Sequence, residues 1–229
     1  MILYLFKKKY RGNFSNKGDM DYMFAIRENL IKFIKNYPVT ILIFIVSSII
    51  AIGIILFFES YKNAIIVFGG LDKELIEKGE IWRFLTYAFG HMSLFHFLLN
   101  MPLILILSRP LERYYGSIFF SLIYMALSIS SGIFIYYFYQ GSYPLAGSSG
   151  AGYGLIGMFT FFVLKYPNKI SSYDKRFILI LLVLGIIFTL YTPDISISGH
   201  LGGFISGFVL AFFISILNKN QNKVSFYHI

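Results

Sequence analysis

Cysteine is absent from this 229-residue chain. That excludes a disulfide framework, a thiol nucleophile and a thiolate metal site. Charge is scarce as well: Asp, Glu, Lys and Arg make up 14% of the residues, against roughly 25% in an ordinary soluble protein. There are four histidines and one tryptophan. No His-Glu-x-x-His spacing occurs, and His228 sits far off in the C-terminal tail, so neither a metal nor any other cofactor is expected. What is abundant is apolar: 57% of the chain is hydrophobic. That balance describes a polytopic membrane protein. The net charge of +9 does not argue for a nucleic-acid partner, because the basic residues lie in a terminal tail and in alternate loops, as membrane topology dictates. Nothing reads as a cleavable signal: the apolar Met1–Phe6 precedes Lys7-Lys8-Lys9, the reverse of a signal peptide's order.

The hydrophobic runs predict six spans and an all-α bundle. Residues 1–38 are a basic N-terminal tail ending at Pro38, with room for a short amphipathic surface helix within 20–37. The spans are expected at about Val39–Phe58, His91–Leu107, Tyr115–Tyr139, Ser148–Leu164, Phe177–Tyr191 and Ser198–Leu217, and residues 218–229 form a polar tail. Arg109-Pro110-Leu111-Glu112-Arg113 is expected to end the second span, and Thr192-Pro193-Asp194 to break the chain after the fifth. The long connection 59–90 mixes acidic residues with Trp82 and many apolar side chains, so it is expected to lie folded in the membrane boundary. Of the 20 basic residues, all but Lys62, Lys73, Lys78 and Arg83 fall on the side that holds both termini. The positive-inside rule makes that side the cytoplasm. The fourth span covers only ~25 Å of a ~30 Å hydrocarbon layer. Its N-terminal end is therefore expected to be recessed, below a cavity open to the extracytoplasmic side.

That recessed end is Ala146-Gly147-Ser148-Ser149-Gly150-Ala151-Gly152-Tyr153-Gly154, small residues and hydroxyls where leucine would be ordinary. A hydroxyl at bilayer depth costs free energy unless something bonds it. Ala146, Gly150 and Gly154 form one small-residue stripe; Gly199, Gly203 and Gly207 form another on the sixth span. Two such faces favour close helix contact, and that contact would bring Ser149 to His200. A serine hydroxyl is a poor nucleophile until a base takes its proton, and a neutral imidazole is such a base. The expectation is a Ser149–His200 dyad, with no acid inside the spans to complete a triad. Tyr153, four residues after Ser149, could stack on the imidazole, or it is one aromatic among many. His96 and Asn100 share a face of the second span; they could hold an oxyanion or simply tie helices together. His91 points off that face and is expected to bond within the outer loop. Ser148 competes with Ser149 for the nucleophile's place, and one of the two is expected to cap the helix.

At these residues the sequence resembles the rhomboid family of intramembrane serine proteases. Four motifs fall in the family's order over roughly 39–217. They are Glu80-x-Trp82-Arg83, His91-x4-His96-x3-Asn100, Gly147-Ser148-Ser149-Gly150 and Gly199-His200-x2-Gly203. Leu111-Glu112-Arg113 before Tyr115-Gly116 looks like the family's second-loop pattern. The third motif matches Gly-x-Ser-Gly, whose serine is Ser149. The resemblance implies a six-transmembrane-helix rhomboid-like bundle without a seventh span, cleaving single-span or polytopic membrane-protein substrates in or near the bilayer. It implies Ser149 as nucleophile and His200 as general base and acid. His96, Asn100 and the Ser149 backbone N–H would hold the oxyanion, Tyr153 would stack on His200, and Gly147, Gly150, Gly199 and Gly203 would support the site. The first loop would be a structural wedge, and the fifth span with Pro193–Ile197 a gate and cap. The expected location is a bacterial inner membrane. The alternative is a catalytically silent relative that binds transmembrane helices; a transporter would want inverted repeats and intramembrane charges, and the expected spans contain no Asp, Glu, Lys or Arg apart from their flanks.

Overall fold

A computed structural model describes residues 22–25, 28–58, 60–192 and 195–217. The expectations for 1–21, Arg27, Glu59, Pro193, Asp194 and 218–229 lie outside the described residues. Helices appear in the order α1 (Leu30–Asn36), α2 (Pro38–Phe57), α3 (Tyr61–Val67), α4 (Lys73–Glu77), α5 (Arg83–Thr86), α6 (Leu94–Tyr115), α7 (Ser117–Phe138), α8 (Ser149–Lys165), α9 (Ser172–Tyr191) and α10 (Ile197–Leu217). One isolated antiparallel bridge joins Leu71 to Leu145. By length and composition α2, α6, α7 and α10 can each cross a membrane. The remaining two long helices fall short of that measure for visible reasons. Helix α8 has 17 residues, and α9 carries Asp174, Lys175 and Arg176 near its start. Leu42, Ile49, Leu56 and Phe57 on α2, and Leu179, Leu184 and Leu190 on α9, face outward. A contiguous apolar exterior of this kind belongs in hydrocarbon rather than water.

The centre of the bundle is α8. Ala151, Leu155 and Met158 on it are fully buried, against Leu107 of α6, Leu127 of α7 and Ala211 of α10. The approach of α8 to α10 is a backbone contact. A Cβ built on Gly203 would lie 2.0 Å from the Gly150 carbonyl oxygen, and one on Gly207 would lie 1.9 Å from that of Gly154. The two expected stripes do not simply face each other, however. The Cβ directions of Gly150 and Gly154 point to Ser131 and Leu127 of α7, and that of Gly199 points to Ile135 of α7. Ala146 is not helical; it sits before α8 and lies beneath Gly90. Helix α8 is thus held between two neighbours, and glycine is required toward both.

Two boundaries differ from the sequence expectation, each for a polar reason. Helix α6 does not stop near Leu107 but runs to Tyr115, with Arg109 and Glu112 buried inside it. Those charges have partners. The Glu112 carboxylate accepts the N–H groups of Val39 (2.9 Å) and Thr40 (2.8 Å) and the hydroxyls of Thr40 (2.7 Å) and Ser117 (2.8 Å). It therefore caps the first turn of α2, whose N–H groups have no acceptor within their own helix. Arg109 donates to the Met23 carbonyl at 2.6 Å. Helix α9 begins at Ser172 rather than Phe177, because Ser171 and Asp174 cap it reciprocally: the Asp174 N–H donates to Ser171 Oγ at 3.0 Å, and that hydroxyl donates to Asp174 Oδ2 at 2.6 Å. Asp174 also accepts the N–H groups of Met23 (3.2 Å) and Phe24 (3.4 Å). The described part of the expected tail is therefore docked on the bundle, with Met23 and Phe24 buried.

The connection between α2 and α6 is compact. Arg83 is buried and donates to the carbonyls of Ile66 (3.0 Å) and Gly70 (2.7 Å), while Glu80 accepts from its Nε at 2.8 Å. A single guanidinium thus ties three turns of the connection together.

Gly207→Leu should force α8 and α10 apart and cost about 3 kcal/mol, which is a fall of about 10 °C in Tm by scanning fluorimetry in detergent. Gly152→Ala is the control. Its Cβ would meet only Ile104, at an ordinary 3.4 Å, so its Tm should match the parent's.

Candidate active site

Ser149 is the first residue of α8, and the chain before it is braced. Leu71 and Leu145 exchange N–H···O bonds of 2.8 and 2.9 Å, and the Gly147 N–H donates to the Tyr87 carbonyl at 2.9 Å. The first connection therefore fixes where α8 begins. Gly147 also makes room: a Cβ there would lie 2.7 Å from His96 Cε1. Only glycine lets that imidazole lie against the chain two residues before Ser149.

His200 sits in the first turn of α10 and is 6% exposed. Its Nε2 lies 2.8 Å from Ser149 Oγ. The Tyr153 ring stacks on it, with centroids 4.1 Å apart and planes 14° from parallel. Its Nδ1 lies 2.8 Å from Thr189 Oγ1. The sequence reading did not single out Thr189. The available signal was its position as the only threonine in the apolar run Phe177–Tyr191.

The two serines are separated clearly. Ser149 lines a cavity of about 180 Å3 together with His96, Ser131, Ser196 and His200. Ser148 is fully buried, and its Oγ lies 3.2 Å from His91 Nε2. It occupies the N-cap position of α8 but makes no side-chain cap, so the expected capping role is not filled. His91 correspondingly reaches the start of α8. The His91 ring also meets His96 edge-on, at 5.3 Å and 72°.

His96 and Asn100 have different surroundings. His96 faces the cavity. Asn100 is 9% exposed, and its Nδ2 donates to the His96 carbonyl of its own helix at 2.9 Å. The Asn100 amide carries two hydrogens, and that bond uses one of them. The Ser149 N–H belongs to the first turn of α8, whose donors have no acceptor within the helix. Gly150 and Gly203 lie where α8 touches α10, and Gly199 accepts a hydrogen bond from Ser131 Oγ at 2.8 Å through its carbonyl. Among the described residues, no group of three or more His, Cys, Asp or Glu is placed to hold a metal ion.

A hydroxyl at hydrogen-bond distance from an imidazole can pass its proton to the ring as it attacks a carbonyl carbon. Residues 78–217 match the family described as the Rhomboid domain. The chain belongs to the rhomboid family. Rhomboid protease GluP of Bacillus subtilis (strain 168) is 31% identical over 169 residues, which is 71% of this chain and 33% of that protein. Putative rhomboid protease YdcA of the same organism is 29% identical over 193 residues, 83% of this chain and 95% of that protein. Inactive RHOMBOID-like protein 8 of Arabidopsis thaliana is 32% identical over 151 residues, 60% of this chain and 40% of that protein. With a rhomboid domain and four helices able to cross a bilayer, the chain is an integral membrane protein.

A fluorophosphonate probe distinguishes the two adjacent serines. It should modify the parent and Ser148→Ala, and leave Ser149→Ala unlabelled in gel fluorescence. A label mapped by mass spectrometry to Ser148 would reverse the assignment.

Proposed function

We propose that this rhomboid-family chain is an intramembrane serine endopeptidase that cleaves peptide bonds in or near transmembrane helices of membrane proteins. The observation that carries this reading is the 2.8 Å contact between Ser149 Oγ and His200 Nε2 at the wall of a cavity. Ser149 Oγ attacks the scissile carbonyl carbon and its proton passes to Nε2. The oxyanion that forms is held by the Ser149 N–H, by His96 and by Asn100, whose Nδ2 has a second hydrogen to give. His200 then gives the proton to the leaving amine, and an acyl-Ser149 ester remains. Water attacks the ester, His200 takes the water's proton, and the carboxyl product departs as Oγ recovers its hydrogen. Tyr153 keeps the imidazole plane fixed against rotation.

The membrane arrangement that goes with this chemistry has six spans, α2 and α6 to α10, with both termini in the cytoplasm. The basic residues support it through the positive-inside rule. Residues 1–38 and 218–229 are then cytoplasmic, residues 39–217 are the protease domain, and the cavity opens to the extracytoplasmic side of a bacterial inner membrane. Substrates are single-span or polytopic membrane proteins, whose helix must unwind locally to present an extended peptide bond. No cofactor takes part.

The second reading is a silent helix-binding protein, favoured by the relative named inactive. Against it stands a serine and a histidine in hydrogen-bond contact, which helix binding alone does not require.

Ser149→Ala should abolish cleavage of a model transmembrane substrate in proteoliposomes while leaving Tm unchanged. Undiminished turnover in that variant would remove Ser149 from the mechanism. Asn100→Ala should lower kcat by roughly 100-fold, as loss of one oxyanion donor does, with little change in KM. An effect confined to KM would count against its oxyanion role.

A further inference from the structure

We propose that Thr189 is a positioning residue for His200, holding the imidazole proton on Nδ1 so that Nε2 is bare and able to receive the proton of Ser149. This deepens the protease reading and rests on it. A dyad has no carboxylate to fix the tautomer of its histidine, and a histidine with the proton on Nε2 would donate to Ser149 instead of accepting from it.

The argument is a count of protons among close contacts. Thr189 Oγ1 lies 2.8 Å from His200 Nδ1, 2.8 Å from the Gly185 carbonyl and 2.6 Å from the Tyr153 hydroxyl, and that hydroxyl lies 2.5 Å from the same Gly185 carbonyl. If Nδ1 is bare, the two hydroxyls supply the only protons for these four contacts. Thr189 must then donate to Nδ1. Tyr153 is left to serve either Thr189 or Gly185, so two of the four contacts, Thr189 to Gly185 and the one Tyr153 does not serve, are oxygen pairs with no hydrogen between them. If Nδ1 carries the proton, it donates to Thr189. Thr189 then donates to Gly185 and Tyr153 to Thr189, or Thr189 donates to Tyr153 and Tyr153 to Gly185. In either arrangement three of the four contacts are filled, the 2.6 Å one among them, and a single oxygen pair is left without a hydrogen. The hydroxyl has lone pairs to accept and one hydrogen to give, and at 8% exposure Thr189 has little water to turn to. Burial makes an unfilled contact costly, so the Nδ1–H tautomer is favoured. Tyr153 therefore serves twice: its ring face fixes the plane of the imidazole, and its hydroxyl belongs to the cluster that sets the tautomer.

The test compares Thr189→Val, which keeps the volume and loses the acceptor, with Thr189→Ser, which keeps the acceptor. Long-range 1H–15N correlation spectra of the labelled full chain in micelles report the tautomer, with the His200 signals identified by their loss in His200→Ala. The parent and Thr189→Ser should show the Nδ1–H pattern, and Thr189→Val should move toward Nε2–H. Cleavage kcat should fall roughly 100-fold in Thr189→Val, the scale of general-base assistance. KM should stay within about twofold, and Thr189→Ser should retain most of the rate. A Val variant with the parent's spectrum and kcat overturns the proposal, and so does a Ser variant as impaired as Val. If the parent neither cleaves nor takes the fluorophosphonate, the protease reading fails. The tautomer pattern then still decides what Thr189 does.

Discussion

Everything in the site depends on two helices touching along their backbones. In a bilayer, burial of apolar side chains gives helices little reason to associate, since lipid tails are equally apolar. Close packing must supply the attraction, and it is closest where no side chain intervenes. Gly203 and Gly207 of α10 rest on the carbonyls of Gly150 and Gly154 of α8. The contact runs on to Gly157, where a Cβ would meet the Phe204 carbonyl at 2.1 Å. Ser149 and His200 each lie in the first turn of one of these helices. A small shift of either helix along its axis would part a hydroxyl and an imidazole that now lie 2.8 Å apart.

The same helix must also be held on its other side and at its start. Helix α7 fills the space that Gly150 and Gly154 leave open, through Ser131 and Leu127, and Ser131 reaches across to the Gly199 carbonyl of α10. The start of α8 is pinned by the Leu71–Leu145 bridge and by Tyr87. Those partners belong to a connection organised by a buried arginine. That connection thereby controls the placement of the serine: the Arg83 carbonyl accepts the Tyr87 N–H, and Tyr87 lines the cavity.

Much of this was readable from residue types and spacing. Glycines four apart announce close helix approach, and a serine beside one stripe with a histidine beside the other announced the pair that the structure brings together. What was not readable is how polar groups are shared out over long sequence separations. Arg109 and Glu112 look like loop residues because most of their partners are remote: Met23 for Arg109, and Val39 and Thr40 beside the nearby Ser117 for Glu112. Ser148 looks like a cap because its partner, His91, lies 57 positions earlier. The bond from Asn100 to the His96 carbonyl of its own helix is hidden because helix spacing says nothing about rotamers. Thr189 was passed over because a hydroxyl in an apolar helix commonly bonds its own i−4 carbonyl. It does so here, to Gly185, while also serving His200.

Helix α9 is fastened unevenly. Asp174, near one end, receives two N–H groups from the segment around Met23, and Thr189, near the other, is one of its few buried residues. Most of the length between them looks outward. The helix is a rod pinned at its foot and latched at its tip by hydroxyls. The latch stands about 22 Å from the pin, so a tilt of about 5° carries Thr189 about 2 Å, beyond hydrogen-bonding reach of the ring. The movement that would widen a lateral opening between α9 and its neighbours would also release the imidazole from its acceptor. Tilting the rod and keeping the imidazole in place are thus mechanically opposed.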